Sequence, residues 1–247
     1  MDEKMKHKKI FIIAIIIFLI LIIGIVLYWL TRANAPQIFG EAVWDITTTE
    51  KVIALTFDDG PNPEATEKIL NLLEEYKASA TFFVIGENAE KYPELIRNIY
   101  ENGHEIGNHT WSHERLIFKT PGLIRRELSS TDELLTDLGY EDVVHFRATY
   151  GRKLFILPYI LSKSDRLNVL WSIDLKDWDN RSAEQMLEEL EKQLKPGAII
   201  LLHDGYDSEH QSRDETVKLV EMILRKYTAL GYSFVTVSDL LTYDSDS

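Results

Sequence analysis

Twenty-one consecutive residues, Ile10 to Leu30, carry no charge and are mostly Ile, Leu and Phe. A helix needs about 20 such residues to cross a ~30 Å hydrocarbon layer, so the run is expected as a transmembrane anchor. Lys4, Lys6, Lys8 and Lys9 precede it and Tyr28-Trp29 close it. That charge bias places residues 1–9 in the cytoplasm and everything after the anchor outside. The competing reading is a signal peptide cleaved near Ala35, in Ala33-Asn34-Ala35, with a secreted product. The run exceeds the usual 7–15-residue apolar region of a signal peptide, and Pro36 follows the triplet, so retention is favoured.

The 247-residue chain leaves room beyond the anchor for one large domain. Residues 31–50 show no sustained periodicity and read as a stalk, residues 51–241 as the domain, and residues 242–247 as an acidic tail. Beyond residue 30 there are 23 basic and 38 acidic residues, a formal −15. Nucleic acid is excluded as a natural partner on that balance. An anionic polymer is not, because salt screens exposed charges beyond about 8–10 Å. Cysteine is absent, which suits an exterior compartment without requiring one, and no feature of the sequence indicates an oligomer.

From Val52 onward, short apolar runs alternate with amphipathic ones. The strands are predicted at Val52–Phe57, Ala80–Ile85, His104–His109, Val143–Thr149, Asn168–Ile173, Ala198–Leu202 and Ser233–Val237. The helices between them are predicted at Glu64–Tyr76, Asn88–Glu101, Pro121–Leu138, Lys153–Ser162, Ser182–Leu194 and Thr216–Leu230. About seven strands alternating with helices make an α/β fold, closed into a parallel barrel or left as an open parallel sheet.

Polar residues recur where those strands end: Asp58-Asp59, His109, Arg147, Asp174 and His203-Asp204. In parallel α/β folds the strand ends converge on one face, where sites are built. Asp58 and Asp59 lie between a buried run and Gly60-Pro61, so they either cap a turn or divide two tasks, one holding a metal and one moving a proton. His109 and His113, four residues apart, suit a metal if the segment forms a helical turn. With one carboxylate they would make a triad with open positions, compatible with hydrolytic zinc or redox iron. Arg147 needs a carboxylate partner if buried. The acids Asp174 and Asp177 stand close to Trp178, an aromatic able to stack on a sugar.

Five segments in order, Thr56-Phe57-Asp58-Asp59-Gly60, His109–His113, Arg147–Gly151, Asp174–Trp178 and Leu201-Leu202-His203-Asp204, resemble the NodB-type polysaccharide deacetylases, carbohydrate esterase family 4. The resemblance covers about Lys51 to Leu241. It implies a distorted (β/α) barrel, a divalent metal (zinc first, then cobalt, nickel or manganese), and hydrolysis of N-acetyl groups from N-acetylglucosamine units of peptidoglycan or a chitin-like polymer. Asp59, His109 and His113 would be the metal ligands, Asp58 the general base, Arg147 its orienting partner, His203 the general acid and Asp177 its support. The Tyr150 amide would be the oxyanion donor and Trp178 a substrate contact. Peptidoglycan is the favoured substrate, because the anchor holds the domain beside the wall.

One position departs from the family pattern. Thr149 stands where that pattern has Pro before the aromatic residue, exchanging a fixed φ for a freer backbone and a hydroxyl. A catalytically impaired domain that binds wall glycan is therefore the alternative. A non-haem iron oxygenase fits the triad but leaves Arg147, Asp177 and His203 without a task.

Overall fold

The computed structural model describes residues 2–33, 35–164, 166–205 and 212–245. Met1, Asn34 of the Ala33–Ala35 triplet and the last two residues of the acidic tail lie outside them. The chain begins with helix α1 (Asp2–Leu30), whose stretch Met5–Leu30 is long and apolar enough to cross a membrane, and whose most apolar part is not buried against the protein. There follow β1 (Ala42–Val43), β2 (Val52–Asp58), α2 (Ala65–Tyr76), β3 (Thr81–Val84), α3 (Gly86–Lys91), α4 (Pro93–Glu101), β4 (Glu105–Asn108) and α5 (Pro121–Asp137). The second half comprises α6 (Ile156–Ser162), β5 (Asn168–Val169), β6 (Ile173–Asp174), α7 (Ala183–Gln193), β7 (Ile199–His203), α8 (Asp214–Ala229), β8 (Ser233–Phe234) and α9 (Val237–Leu241).

The strands form an α/β parallel sheet in the order β4-β3-β2-β7-β6, with β8 pairing the start of β2. Beyond β4 the ladder continues through one residue, Phe146, which bridges Asn108 on one side and Asn168 of β5 on the other, and then through β5 to β1. Its ends are β1 and β6, and β5, the neighbour of β1, is separated from β6 in the chain by only Leu170, Trp171 and Ser172, a span of at most about 14 Å. The sheet must therefore curl. No backbone pairing between β1 and β6 closes it among the described residues, so the expected barrel is present as a curled sheet with a seam. Asp45 bridges Ala198 and the Ile46 N–H donates to the Gly197 carbonyl beside that seam. Residues 31–50, expected as a stalk, thus contribute a strand and a bridge to the domain.

Period-two alternation explains the layers. On β2, Ile53, Leu55 and Phe57 pack outward with Ile69 and Leu73 of α2, Phe82, Ile106, Leu202 and Leu219. Val52 and Ala54 pack inward with Phe83, Val169, Ile199, Val237 and Leu240. The inward column of β2 therefore changes along its length, from Val52 and Ala54 at the start to Thr56 and Asp58 at the end. Gly107 on β4 is part of this plug, since a Cβ there would stand 2.3 Å from the Phe83 ring.

Several predicted elements differ locally. Asn88–Glu101 is two helices broken at Tyr92, because the residue before Pro93 is driven out of the helical region. Val143–Thr149 is no continuous strand and contributes the single rung Phe146. Asn168–Ile173 is interrupted at Leu170–Ser172, leaving the Val169 and Leu170 carbonyls to side-chain donors. Ser182 caps α7 as expected and forms a capping box with Gln185.

Candidate active site

The strands run parallel, so their C-terminal ends share one face, and a cleft of about 320 Å³ opens there, lined by Asp58, Asp59, His109, His113, Tyr150, Trp178 and His203. Asp58 ends β2 and lies in register with His203 at the end of β7. Asp59 leaves the strand with φ 72, a left-handed conformation that an Asp accepts more readily than most residues. Gly205 seats this corner: a Cβ there would fall 1.9 Å from the Asp59 carbonyl.

The two acids have different surroundings. Asp58 Oδ1 accepts from Arg147 Nη1 at 2.7 Å. Arg147 is wholly buried; it also donates to Thr56 Oγ1 and to the Val169 and Leu170 carbonyls, while its guanidinium stacks 4.0 Å from the Phe83 ring centre. Those carbonyls are the ones released where the β5–β6 stretch leaves the ladder, so one irregularity of the sheet solves the burial of the other. Asp59 Oδ1 is buried and accepts no hydrogen bond. Instead it lies 3.5 Å from His109 Nε2 and 3.2 Å from His113 Nε2.

The His pair is not on a helix, contrary to the expectation from its spacing. Thr110 and His113 both have positive φ, and residues 109–113 form an irregular loop. The buried Glu127 of α5 holds it by accepting the Trp111 and Ser112 N–H groups and the Ser112 hydroxyl, and Asn108 Oδ1 accepts the Thr110 N–H. His109 Nδ1 donates to the Arg147 carbonyl at 2.8 Å, which turns Nε2 into the cleft. Burial lowers the His109 pKa despite Asp58 and Asp59, so the ring is in the neutral form that coordinates metal.

The donor atoms of Asp59, His109 and His113 lie within 4.8 Å of one another. An unpartnered buried carboxylate oxygen facing two imidazole nitrogens is the arrangement a divalent cation completes. These residues fit a metal.

Across β2, His203 Nδ1 donates to Asp177 Oδ1 at 2.7 Å, and its backbone N–H donates to Asp177 Oδ2 at 2.9 Å. Thr216 Oγ1 donates to the same oxygen. Burial alone would lower the His203 pKa, but the Asp177 charge and hydrogen bond, with Asp59 and Asp58 beyond, carry it up to about 9. Asp177 in turn, though raised by burial, is held below the ordinary carboxylate range by the His203 charge and hydrogen bond. Burial, with repulsion from Asp59 and Asp58, pushes Asp204 up to about 7, and Thr66 Oγ1 donates to its carboxylate.

Tyr150 occupies a tight turn, Thr149–Gly151, at φ 57. Its ring lies 4.8 Å from that of His113. Thr149 is buried, and its Oγ1 donates to the Glu114 carbonyl at 2.9 Å, fastening the turn to the loop that carries His113. Trp178 is half exposed at the rim, and Trp171, Asp174, Leu201 and Arg213 complete the wall. The structure gathers at or directly behind this cleft the nine residues to which the family resemblance gives a role. Sequence reasoning missed Thr56, Asn108, Glu127, Arg213 and Thr216. Buried acids and hydroxyls on helix faces, Glu127 and Thr216 among them, were the available signal.

Residues 45–165 match the family model described as polysaccharide deacetylase. The chain is 36% identical over 206 residues to a peptidoglycan-N-acetylglucosamine deacetylase of Bacillus cereus, spanning 83% of this chain and 94% of that protein. It is 38% identical over 170 residues to a chitooligosaccharide deacetylase of Azorhizobium caulinodans, spanning 68% and 80%. Among solved structures it superposes on the Bc1960 peptidoglycan N-acetylglucosamine deacetylase, crystallised with 4-naphthalen-1-yl-N-oxidanyl-benzamide. That TM-score is 0.76 at 32% identity, over 81% of this chain and 92% of that one. An acid freed for a metal, an acid held by a buried arginine and a histidine charged by its own carboxylate thus sit on a fold and in a sequence that agree, and the chain belongs to the polysaccharide deacetylase family.

Proposed function

We propose that this protein hydrolyses N-acetyl groups from N-acetylglucosamine units of cell-wall glycan, peptidoglycan first and chitin oligomers second. Its N-terminal helix would be a single-pass anchor that leaves the catalytic domain outside the membrane. The observation that carries the reading is the register of Asp58 with His203 at the ends of adjacent strands. In this reading Asp58 accepts a proton and His203 donates one, and both line the same cleft.

A divalent metal held by Asp59, His109 and His113, zinc in this reading, would supply electrophilic pull on the acetyl carbonyl and on the attacking water. Asp58, oriented by Arg147, takes the proton of that water as its oxygen bonds to the carbonyl carbon. The Tyr150 N–H donates to the oxygen on which negative charge develops. When the carbon–nitrogen bond breaks, His203 gives its Nε2 proton to the departing amine, so acetate and a free amino sugar leave together. Trp178 provides an aromatic face for the sugar at the rim. Thr149 supports the alternative of a glycan-binding domain without turnover, but its hydrogen bond to Glu114 gives the turn a restraint in place of the proline ring.

The purified full chain with zinc is expected to release acetate from N-acetylglucosamine oligomers or purified peptidoglycan. Chelation should cut the rate by at least about 10²-fold, and zinc should restore it. Intact glycan binding with no acetate from either substrate would sink the enzyme reading.

The raised pKa of His203 sets a second expectation. Its acid form is present below about 9 and lost as pH rises through that value, so kcat of the metal-loaded protein should fall on the alkaline side at or below that value. A cation held by Asp59, His109 and His113 would offset part of the pull of Asp58 and Asp59, which leaves Asp177 as the main support of the His203 charge. Asp177→Asn should therefore move the alkaline limb down by about one unit or more. A limb in the same place in both proteins would show that another group donates the proton.

A further inference from the structure

The catalytic cleft does not end at Tyr150 and Trp171. Those two residues and Asp174 also line a second, polar hollow of about 560 Å³, walled by Trp29 of α1, by Arg32 just past it and by Arg152. Its size falls among sites that take small ligands, about 300–1,000 Å³.

The wall is fixed in place. Lys153, 1% exposed, donates from Nζ to the Arg32 carbonyl at 3.1 Å and the Ala33 carbonyl at 2.6 Å, and its N–H donates to the Thr31 carbonyl. Arg152 Nη1 donates to Thr31 Oγ1 at 3.1 Å. These bonds tie residues 31–33, just past α1, to the segment that follows the Tyr150 turn.

Arg32 and Arg152 both line this hollow, and neither has a carboxylate within ion-pair distance among the described residues. The acid in the hollow, Asp174, already accepts the Lys176 N–H. In a domain so acidic, two uncompensated guanidinium groups facing one concavity mark a place for an anion, because their planar forks match carboxylate or phosphate.

We infer that this hollow is an anion subsite that takes a carboxylate carried by the glycan chain whose acetylated sugar occupies the catalytic cleft, with Arg32 and Arg152 as its donors. The assignment rests on the glycan reading above. Lipid phosphate shares the chemistry and is the other source to be distinguished.

The test uses the full chain in phosphatidylcholine nanodiscs, in the Asp58→Asn background to prevent turnover. Calorimetry compares oligomers of N-acetylglucosamine and N-acetylmuramic acid, whose lactyl group ends in a carboxylate, with the same oligomers amidated at that group. The acid form should bind about tenfold tighter, the loss expected for one charge-assisted contact, and Arg32→Gln should bring the ratio near one. A ratio near one without that substitution, or one that Arg32→Gln leaves at about ten, overturns the subsite. So does a ratio that disappears in phosphatidylglycerol discs, which would identify the headgroup as the occupant. Binding does not depend on acetate release, so failure of the deacetylase assay and failure here are separate results.

Discussion

Asp58→Asn should lower kcat by about 10²–10⁴-fold, the range for removing a positioned general base, while the protein still binds one metal ion per chain. His113→Ala should lose both metal and rate. The difference follows from the surroundings of the two acids. Asparagine at 58 can still accept the Arg147 hydrogen bond through its amide oxygen, so the site keeps its shape and loses only the proton acceptor. His113 contributes one of the three candidate ligand atoms, beside those of Asp59 and His109, and without it the cation would have only two protein ligands. Metal content by elemental analysis beside acetate release from one preparation decides the matter. Equal loss of metal in the two variants would reverse the roles given to Asp58 and Asp59.

Arg147→Met should destabilise the fold by about 3–5 kcal/mol, the cost of leaving a buried charge unpaired. At roughly 2–4 °C per kcal/mol for a chain of this size, that is a fall in Tm of about 6–20 °C. Methionine fills much of the space against Phe83 but cannot serve Asp58, Thr56 and the carbonyls of Val169 and Leu170. Adding Asp58→Asn should recover part of the loss, because the buried carboxylate is then neutral. Thermal unfolding in detergent, followed by near-ultraviolet circular dichroism, gives both numbers. A single-variant loss below about 1 kcal/mol, or strictly additive losses in the pair, would show that Arg147 does not compensate the Asp58 charge.

The sequence revealed those parts of the molecule that repeat or that are costly to bury. Val52 to Phe57 could only be an interior strand, and acids at its end could only face solvent or a site. Arg147 and His203 stood out because apolar neighbours would bury them. What escaped notice was geometry without a period. The spacing of His109 and His113 suggested a helical turn, yet their approach depends on two positive φ angles and on Glu127, a residue on another helix. The two-residue strands β1, β5 and β6 are too short to show alternation. The apolar run from Val143 to Thr149 resembled a strand, but only Phe146 pairs on both sides.

The bond from the Thr149 hydroxyl to the Glu114 carbonyl has a consequence for how the site moves. A proline stiffens its own turn from within and leaves the neighbouring loop free. A hydroxyl pinned across a gap instead joins two segments into one part, here the turn bearing the Tyr150 amide and the loop bearing His113. Displacement of either is then passed to the other, and in the proposed mechanism a cation that steadied His113 would also steady the Tyr150 amide. On the roles proposed above, the candidate metal site and the oxyanion donor are thus coupled through one side chain, where the family pattern has a ring.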